Sequence, residues 1–223
     1  MSEIFGPTIQ GEGPSAGTSA AFLRVGMCNL SCVWCDTKYT WDADSFDLRD
    51  ELNSQPVGQV AASIDQIEAS MLVITGGEPA LQAAGCSAVL DQLTQRKRIE
   101  VETSGTILLG PLESRVDRIV VSPKLGHSGV SEHARLRWPI LERFAAANAV
   151  FKFVTVSTAD FNEIDVIAKR LDLAPDRVWI MPEATNSHVL HRRLSEFVGG
   201  ASLRGWNVSS RLHIAIWGDV RGH

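Results

Sequence analysis

Three cysteines fall within eight consecutive positions, Cys28-Asn-Leu-Ser-Cys32-Val-Trp-Cys35. Thiolates are the usual ligands of iron–sulfur clusters, and three on one tight loop can hold three irons of a 4Fe–4S cube. The fourth iron is then open to a non-protein ligand. A structural zinc site normally closes its tetrahedron with a second Cys or His pair, and no second C-x2-C or H-x3-H pair occurs. The alternatives are buried structural cysteines, or a three-Cys zinc site completed by a distant His. The fourth cysteine, Cys86, lies within an apolar helical pattern and reads as a core residue. The six histidines show no ligand-pair spacing, and each reads as a surface or core residue.

Other polar signatures recur at intervals: Thr75-Gly-Gly-Glu-Pro79, Glu102-Thr-Ser-Gly105, Ser122-Pro-Lys124 and Met181-Pro-Glu183. Each follows a short apolar run of strand length. The expected strands are Ala20–Val25, Met71–Ile74, Ile99–Val101, Ile119–Val121, Val150–Val156, Val178–Met181 and Leu212–Trp217. Helical spacing of apolar residues predicts helices over Leu81–Leu93, Phe161–Leu171 and Val189–Val198. Ser63-Ile-Asp-Gln resembles a capping box that opens a short helix. The opening residues read as polar and Gly-rich, and Asp42–Val60 as a loop or insertion.

Strands alternating with helices imply a parallel sheet of βαβ units. Six or seven strands are too few for a closed eight-stranded barrel, so an α/β fold with an open sheet or partial, TIM-like barrel is expected. In such folds the loops at the carboxyl ends of the strands build the active site. Five signatures then converge on one mouth, which reads as an enzyme.

The 223 residues fit one domain, with 44% hydrophobic and 21% charged residues. The formal net charge is −5 and no basic stripe is present, which disfavours nucleic-acid binding. No signal peptide or membrane-spanning stretch is read, so a cytoplasmic location without membrane association is expected. Clustered cysteines in a reducing compartment point to metal, not disulfides.

The C-x3-C-x2-C pattern, with an aromatic residue before its last Cys, resembles the signature of the radical S-adenosylmethionine superfamily. Thr75–Pro79 looks like that superfamily's Gly-Gly-Glu-Pro motif. Phe5-Gly-Pro-Thr-Ile-Gln-Gly-Glu-Gly-Pro14, Phe22-Leu-Arg24, Cys28–Thr37, Thr75–Pro79, Glu102–Gly105 and Val121–Lys124 together resemble the 7-carboxy-7-deazaguanine synthase family of queuosine and 7-deazapurine biosynthesis. The motifs span the first half of the chain and a little more.

The resemblance implies a single radical S-adenosylmethionine domain over 1–223, a partial barrel and a lyase acting on 6-carboxy-5,6,7,8-tetrahydropterin. S-adenosylmethionine bound to the open iron would give a 5′-deoxyadenosyl radical, which abstracts hydrogen from C6 before the ring contracts and ammonia leaves. By the same resemblance Cys28, Cys32 and Cys35 hold the cluster, and Ile9, Gln10, Gly11 and Thr75 line the pterin. Arg24 pairs with the substrate carboxylate, or is a surface residue of an edge strand. Glu12 meets the pterin's amino edge, or is a solvated loop carboxylate. Trp34, Asp36, Gly77, Glu78, Ser104, Ser122, Pro123 and Lys124 contact the cofactor, with plain packing open for Trp34 and solvation for Lys124. Thr37 binds Mg²⁺ by resemblance alone; read from the residues it is a turn.

A contact at Met181-Pro-Glu183 is open because relatives often carry Gln-Pro there. The tail Leu212–His223 resembles one branch of the family. A flavodoxin or ferredoxin reductant and a homodimer are also implied. Two rivals stand beside this reading: a glycyl-radical activating enzyme with a protein substrate, and a non-enzymatic iron–sulfur or zinc module.

Overall fold

The computed structural model describes residues 1–222 and is built on one eight-stranded sheet in sequential order. The strands are β1 (Glu3–Ile9), β2 (Ser19–Val25), β3 (Met71–Gly76), β4 (Arg98–Thr103), β5 (Arg118–Val121), β6 (Val150–Thr155), β7 (Val178–Pro182) and β8 (Asn207–Val208). The helices are α1 (Leu48–Glu51), α2 (Val57–Asp65), α3 (Ala83–Gln92), α4 (Glu132–Arg135), α5 (Trp138–Ala146), α6 (Asp160–Arg170), α7 (Ser187–Leu203) and α8 (Leu212–Trp217). From β2 to β8 every pairing is parallel, while β1 lies antiparallel on β2. The sheet order runs from β1 to β8 without returning to β1, so the barrel is incomplete.

The period-two alternation of each strand divides its side chains between two faces. Leu23, Leu72, Ile74, Val101, Val121, Phe151 and Phe153 join Phe144 and Phe197 in the main core between sheet and helices. The opposite, inward face carries a small apolar group at one end, Ala20, Phe22, Met71 and Val73, with Phe5 against it. Phe5 stacks on Phe22 at a centroid distance of 4.8 Å. Farther round the sheet the inward positions are charged: Arg98, Glu100 and Glu102 on β4, and Lys152 on β6.

Six expected strands are β2–β7 within a few residues, but Leu212–Trp217 is the helix α8, not a strand. Its Leu-x-Ile-x-Ile alternation mimics strand period. Packing selects the helix, which buries Ile214 beside Ala184 and Leu190 and leaves Ile216 exposed. His223, the last residue of the tail, lies outside the described residues. Two strands were not anticipated. The opening residues form β1 despite Gly6-Pro7, because a bulge between Phe5 and Thr8 absorbs the interruption. β8 is only two residues long, too short for any periodic signal.

Ser63 does not open a helix: α2 begins after Pro56, and Ser63 Oγ donates back to the Gln59 carbonyl (3.0 Å) in its later half. The Asp42–Val60 stretch is likewise not all loop, since it holds α1 and the start of α2.

The loop after β3 passes backbone to backbone against the loop after β2. Gly77 N donates to the Val25 carbonyl (3.0 Å) and Glu78 N to the Met27 carbonyl (2.8 Å). A Cβ on Gly77 would stand 2.0 Å from Met27 O, and one on Gly76, whose φ is +138°, 2.2 Å from Val25 O. The paired glycines are therefore a packing requirement for seating the cysteine loop. Gly76→Ala is expected to destabilise the protein by roughly 3 kcal/mol or more through backbone strain and displacement, measurable as a lowered urea midpoint.

Candidate functional site

One cavity opens at the carboxyl ends of the parallel strands, and all three clustered cysteines line it. Cys28 follows β2 directly, and its sulfur accepts from Leu30 N (3.4 Å). Cys35 Sγ accepts from Trp41 Nε1 (3.3 Å). Donors aimed at sulfur suit thiolate ligands of a cluster. All three cysteines are free of disulfides. Among the described residues no three His, Cys, Asp or Glu side chains are placed to hold a single metal ion. A cube takes each thiolate on a different iron, and three free cysteines on one loop are a donor set that fits it.

Ile9, Gln10, Gly11, Glu12, Arg24, Trp34, Asp36, Thr37, Thr75, Gly77, Ser104, Ser122 and Lys124 also line the cavity. Glu78 and Pro123 do not. Glu78 is fully buried behind the wall, where its carboxylate accepts from Thr103 Oγ1 (2.7 Å), Ser104 N (2.8 Å), Ser104 Oγ (2.6 Å) and Ala80 N (3.0 Å). With both oxygens so occupied, Glu78 staples the ends of β3 and β4. Cys86, as read from sequence, is a buried core residue.

The opposite wall is ionic. Lys152 Nζ, 5% exposed, donates to Glu12 Oε2 (2.6 Å) and Glu102 Oε1 (2.9 Å). Thr75 Oγ1 donates to Glu102 Oε2 (2.9 Å). Gln10 Nε2 reaches Glu100 Oε1 (3.2 Å) and Glu102 Oε1 (3.5 Å). Arg211 Nε donates to Glu12 Oε1 (2.9 Å). Burial alone would raise Glu12, yet Lys152 and Arg211 hold its carboxyl well below the usual range. Burial would likewise lower Lys152, but Glu102 and Glu12 drive it upward, so it remains charged. Glu12 is therefore a half-buried, ionised group held by Lys152 and Arg211, and not a solvated loop carboxylate.

Arg24 Nε donates to Glu3 Oε1 (2.7 Å), and Glu3 also accepts from Tyr39 and Arg221. This fixes the guanidinium plane at the cavity wall. Trp34 Nε1 donates to His127 Nδ1 (2.9 Å), Lys124 lies over the Trp34 ring, and Lys124 Nζ donates to Ser122 Oγ (3.0 Å). Thr37 Oγ1 stands 3.6 Å from Cys35 Sγ.

Several lining residues have no role assigned from sequence, Lys152, Arg211, His213, Glu102 and Trp41, and Met181 and Glu183, where a contact is left open, line the cavity too. Of the histidines read as surface or core residues, His213 lines the cavity, while His127 stays outside its lining and accepts from Trp34. Lys152 carried a signal, a lone charge inside an otherwise apolar strand. Glu102 sat in a noted motif without an assigned role. Arg211 and His213 carried none, since only the fold brings the chain's two ends together.

Comparisons with known proteins agree with this geometry. A family model described as a 4Fe-4S single cluster domain matches residues 9–120. A 7-carboxy-7-deazaguanine synthase of Pyrobaculum aerophilum is 34% identical, covering 99% of this chain and 95% of its own. One from Bacillus subtilis is also 34% identical, over 99% and 96%. The crystal structure of QueE from Escherichia coli superposes with a TM-score of 0.66 at 27% identity, covering 95% and 93%.

Two outcomes follow from the wall and the loop. Lys152→Met removes a buried ammonium from two half-buried carboxylates, leaving Glu12 to Arg211 and Glu102 to Thr75, and is expected to cost about 1–3 kcal/mol, read from the denaturation midpoint. Burial pushes the Cys28 thiol up to about 11 in the cluster-free protein. At pH 8 its alkylation by iodoacetamide should run about a hundredfold slower than a free cysteine's, as followed by peptide mass spectrometry.

Proposed function

This chain belongs to the 7-carboxy-7-deazaguanine synthase family, and we infer that it converts 6-carboxy-5,6,7,8-tetrahydropterin to 7-carboxy-7-deazaguanine with loss of ammonia. It is a radical S-adenosylmethionine lyase of queuosine and 7-deazapurine biosynthesis. One observation carries the reading: the three cluster cysteines and the loop Ile9–Glu12 line the same cavity. When bound, the cluster and S-adenosylmethionine supply an electron and a carbon radical that takes hydrogen from the substrate.

The protein's own groups then bind and orient. Ile9, Gln10 and Gly11 offer backbone and amide contacts along the pterin, with Thr75 adding a hydroxyl beside Glu102. Glu12 is kept ionised by Lys152 and Arg211, which suits a carboxylate facing the amino edge of a pterin. Arg24, oriented by Glu3, presents a planar fork to the substrate carboxylate. Gly77, Ser104, Ser122 and Lys124 line the side where the methionine and adenosine parts would lie. Glu78 acts by holding Ser104, and Pro123 by shaping the turn between Ser122 and Lys124.

Trp34, braced by His127 and Lys124, covers the cluster side. Thr37 would offer its hydroxyl oxygen to a Mg²⁺ ion, whose charge would help hold an anionic substrate. Asp36, held by Arg211, borders the same corner.

Residues 1–223 act as one domain, a reading supported by the meeting of β1 and α8, from opposite ends of the chain, over one cavity. The reading extends to a cytoplasmic homodimer reduced by a flavodoxin or ferredoxin, without nucleic acid or membrane as partner. No helix among the described residues is long and apolar enough to cross a membrane.

The test is anaerobic reconstitution with dithionite, S-adenosylmethionine, Mg²⁺ and the carboxytetrahydropterin. Mass spectrometry should find the carboxydeazaguanine without any partner protein. Cleavage of S-adenosylmethionine with the pterin left unchanged would overturn the reading.

A further inference from the structure

Arg211 occupies an unusual position for a residue so near the end of the chain. It is 6% exposed, and its three guanidinium nitrogens reach three separate segments. Nε donates to Glu12 Oε1 (2.9 Å), on the loop after β1. Nη1 donates to the Ala184 carbonyl (2.6 Å), just beyond β7. Nη2 donates to the carboxylate of Asp36, the residue after the last cluster cysteine. The guanidinium is flat and rigid, so acceptors on its three nitrogens cannot move independently. A lysine, with one compact ammonium on a flexible stem, imposes no such plane.

The neighbouring residues reinforce the tie. Leu212 N donates to the Gly11 carbonyl (2.9 Å). His213 packs so closely that a Cβ on Gly11 would fall 2.0 Å from its Nδ1. Glu12 is shared with Lys152 of β6, which anchors the assembly to the sheet.

We propose that Arg211 is a positioning residue that couples the cluster loop to the substrate loop, fixing the separation between the radical source and the pterin. The proposal rests on the function inferred above. Slackening that separation should release the radical's chemistry from the substrate. An uncoupled event takes one electron from dithionite to break the carbon–sulfur bond. A second electron and a solvent proton fill the carbon valence, giving methionine and 5′-deoxyadenosine. The ratio of 5′-deoxyadenosine to deazaguanine therefore reports coupling directly.

Two variants of the full, reconstituted chain test this, Arg211→Lys and Asp36→Asn. In Arg211→Lys, amide hydrogen exchange should quicken at least tenfold in both residues 10–12 and residues 36–41. The ratio of 5′-deoxyadenosine to deazaguanine should rise tenfold, with iron content unchanged. Asp36→Asn keeps the Arg211–Glu12 contact. It should raise the same ratio while pterin affinity, titrated without S-adenosylmethionine, stays within twofold. A merely structural role predicts faster exchange near the substitution only and an unchanged ratio in both variants; that result overturns the proposal. Should Arg211→Lys fail to fold, Asp36→Asn decides alone. If the unsubstituted protein makes no deazaguanine, the functional reading fails, while the exchange data still test the tie between the loops.

Discussion

The ammonium of Lys152, seated between Glu12 and Glu102, is the contact around which the cavity is organised. Charges taken out of water are costly, and that cost is offset only when partners sit at hydrogen-bonding distance and every remaining lone pair is used. Here those partners come from the loop after β1 and from β4, around a lysine of β6. Glu102 needs Thr75 of β3 and Glu12 needs Arg211 before α8, so satisfying one lysine fixes the relative placement of five segments. A mostly apolar interior would tolerate sliding of these elements; the ionic one does not. Its effect is a wall of carboxylates with fixed directions, Glu12 among them held ionised by Lys152 and Arg211.

The facing wall is organised by close backbone contact instead of charge. Gly76 and Gly77 let the loop after β3 lie on the backbone at 25–27, so the cysteine loop is braced from below. Glu78 then ties that loop to Thr103 and Ser104 of the next strand. The cysteine loop and the hydroxyls of Thr103 and Ser104 thus share one rigid support. The Gly-Gly-Glu-Pro segment has a structural reason that needs no ligand, alongside any contact its first glycines make.

These two walls meet at the ends of the chain. β1 leads into the loop Gln10–Glu12 and the segment before α8 bonds to it, with Arg211 touching both Glu12 and Asp36. An incomplete barrel leaves its edges open, and here a terminal helix covers part of that opening. The resulting enclosure places small polar groups and thiols together, as a reaction that must exclude water demands.

The local chemistry is legible along the chain. The cysteine spacing, the paired glycines and the six apolar runs β2–β7 depend on neighbours along the chain, so they were legible in it. The motifs at strand ends also foretold where the cavity opens, because parallel topology puts those ends together. The rest depends on contacts between distant segments. β1 and β8 exist because partners stabilise them, not because of their own periodicity. Leu212–Trp217 alternates like a strand, yet packing beside Ala184 and Leu190 makes it a helix. The ionic wall was hidden for the same reason: Lys152, Arg211 and Glu12 acquire their roles only through contacts 140 and 199 residues apart in sequence, and electrostatic partnership at that separation leaves no local pattern.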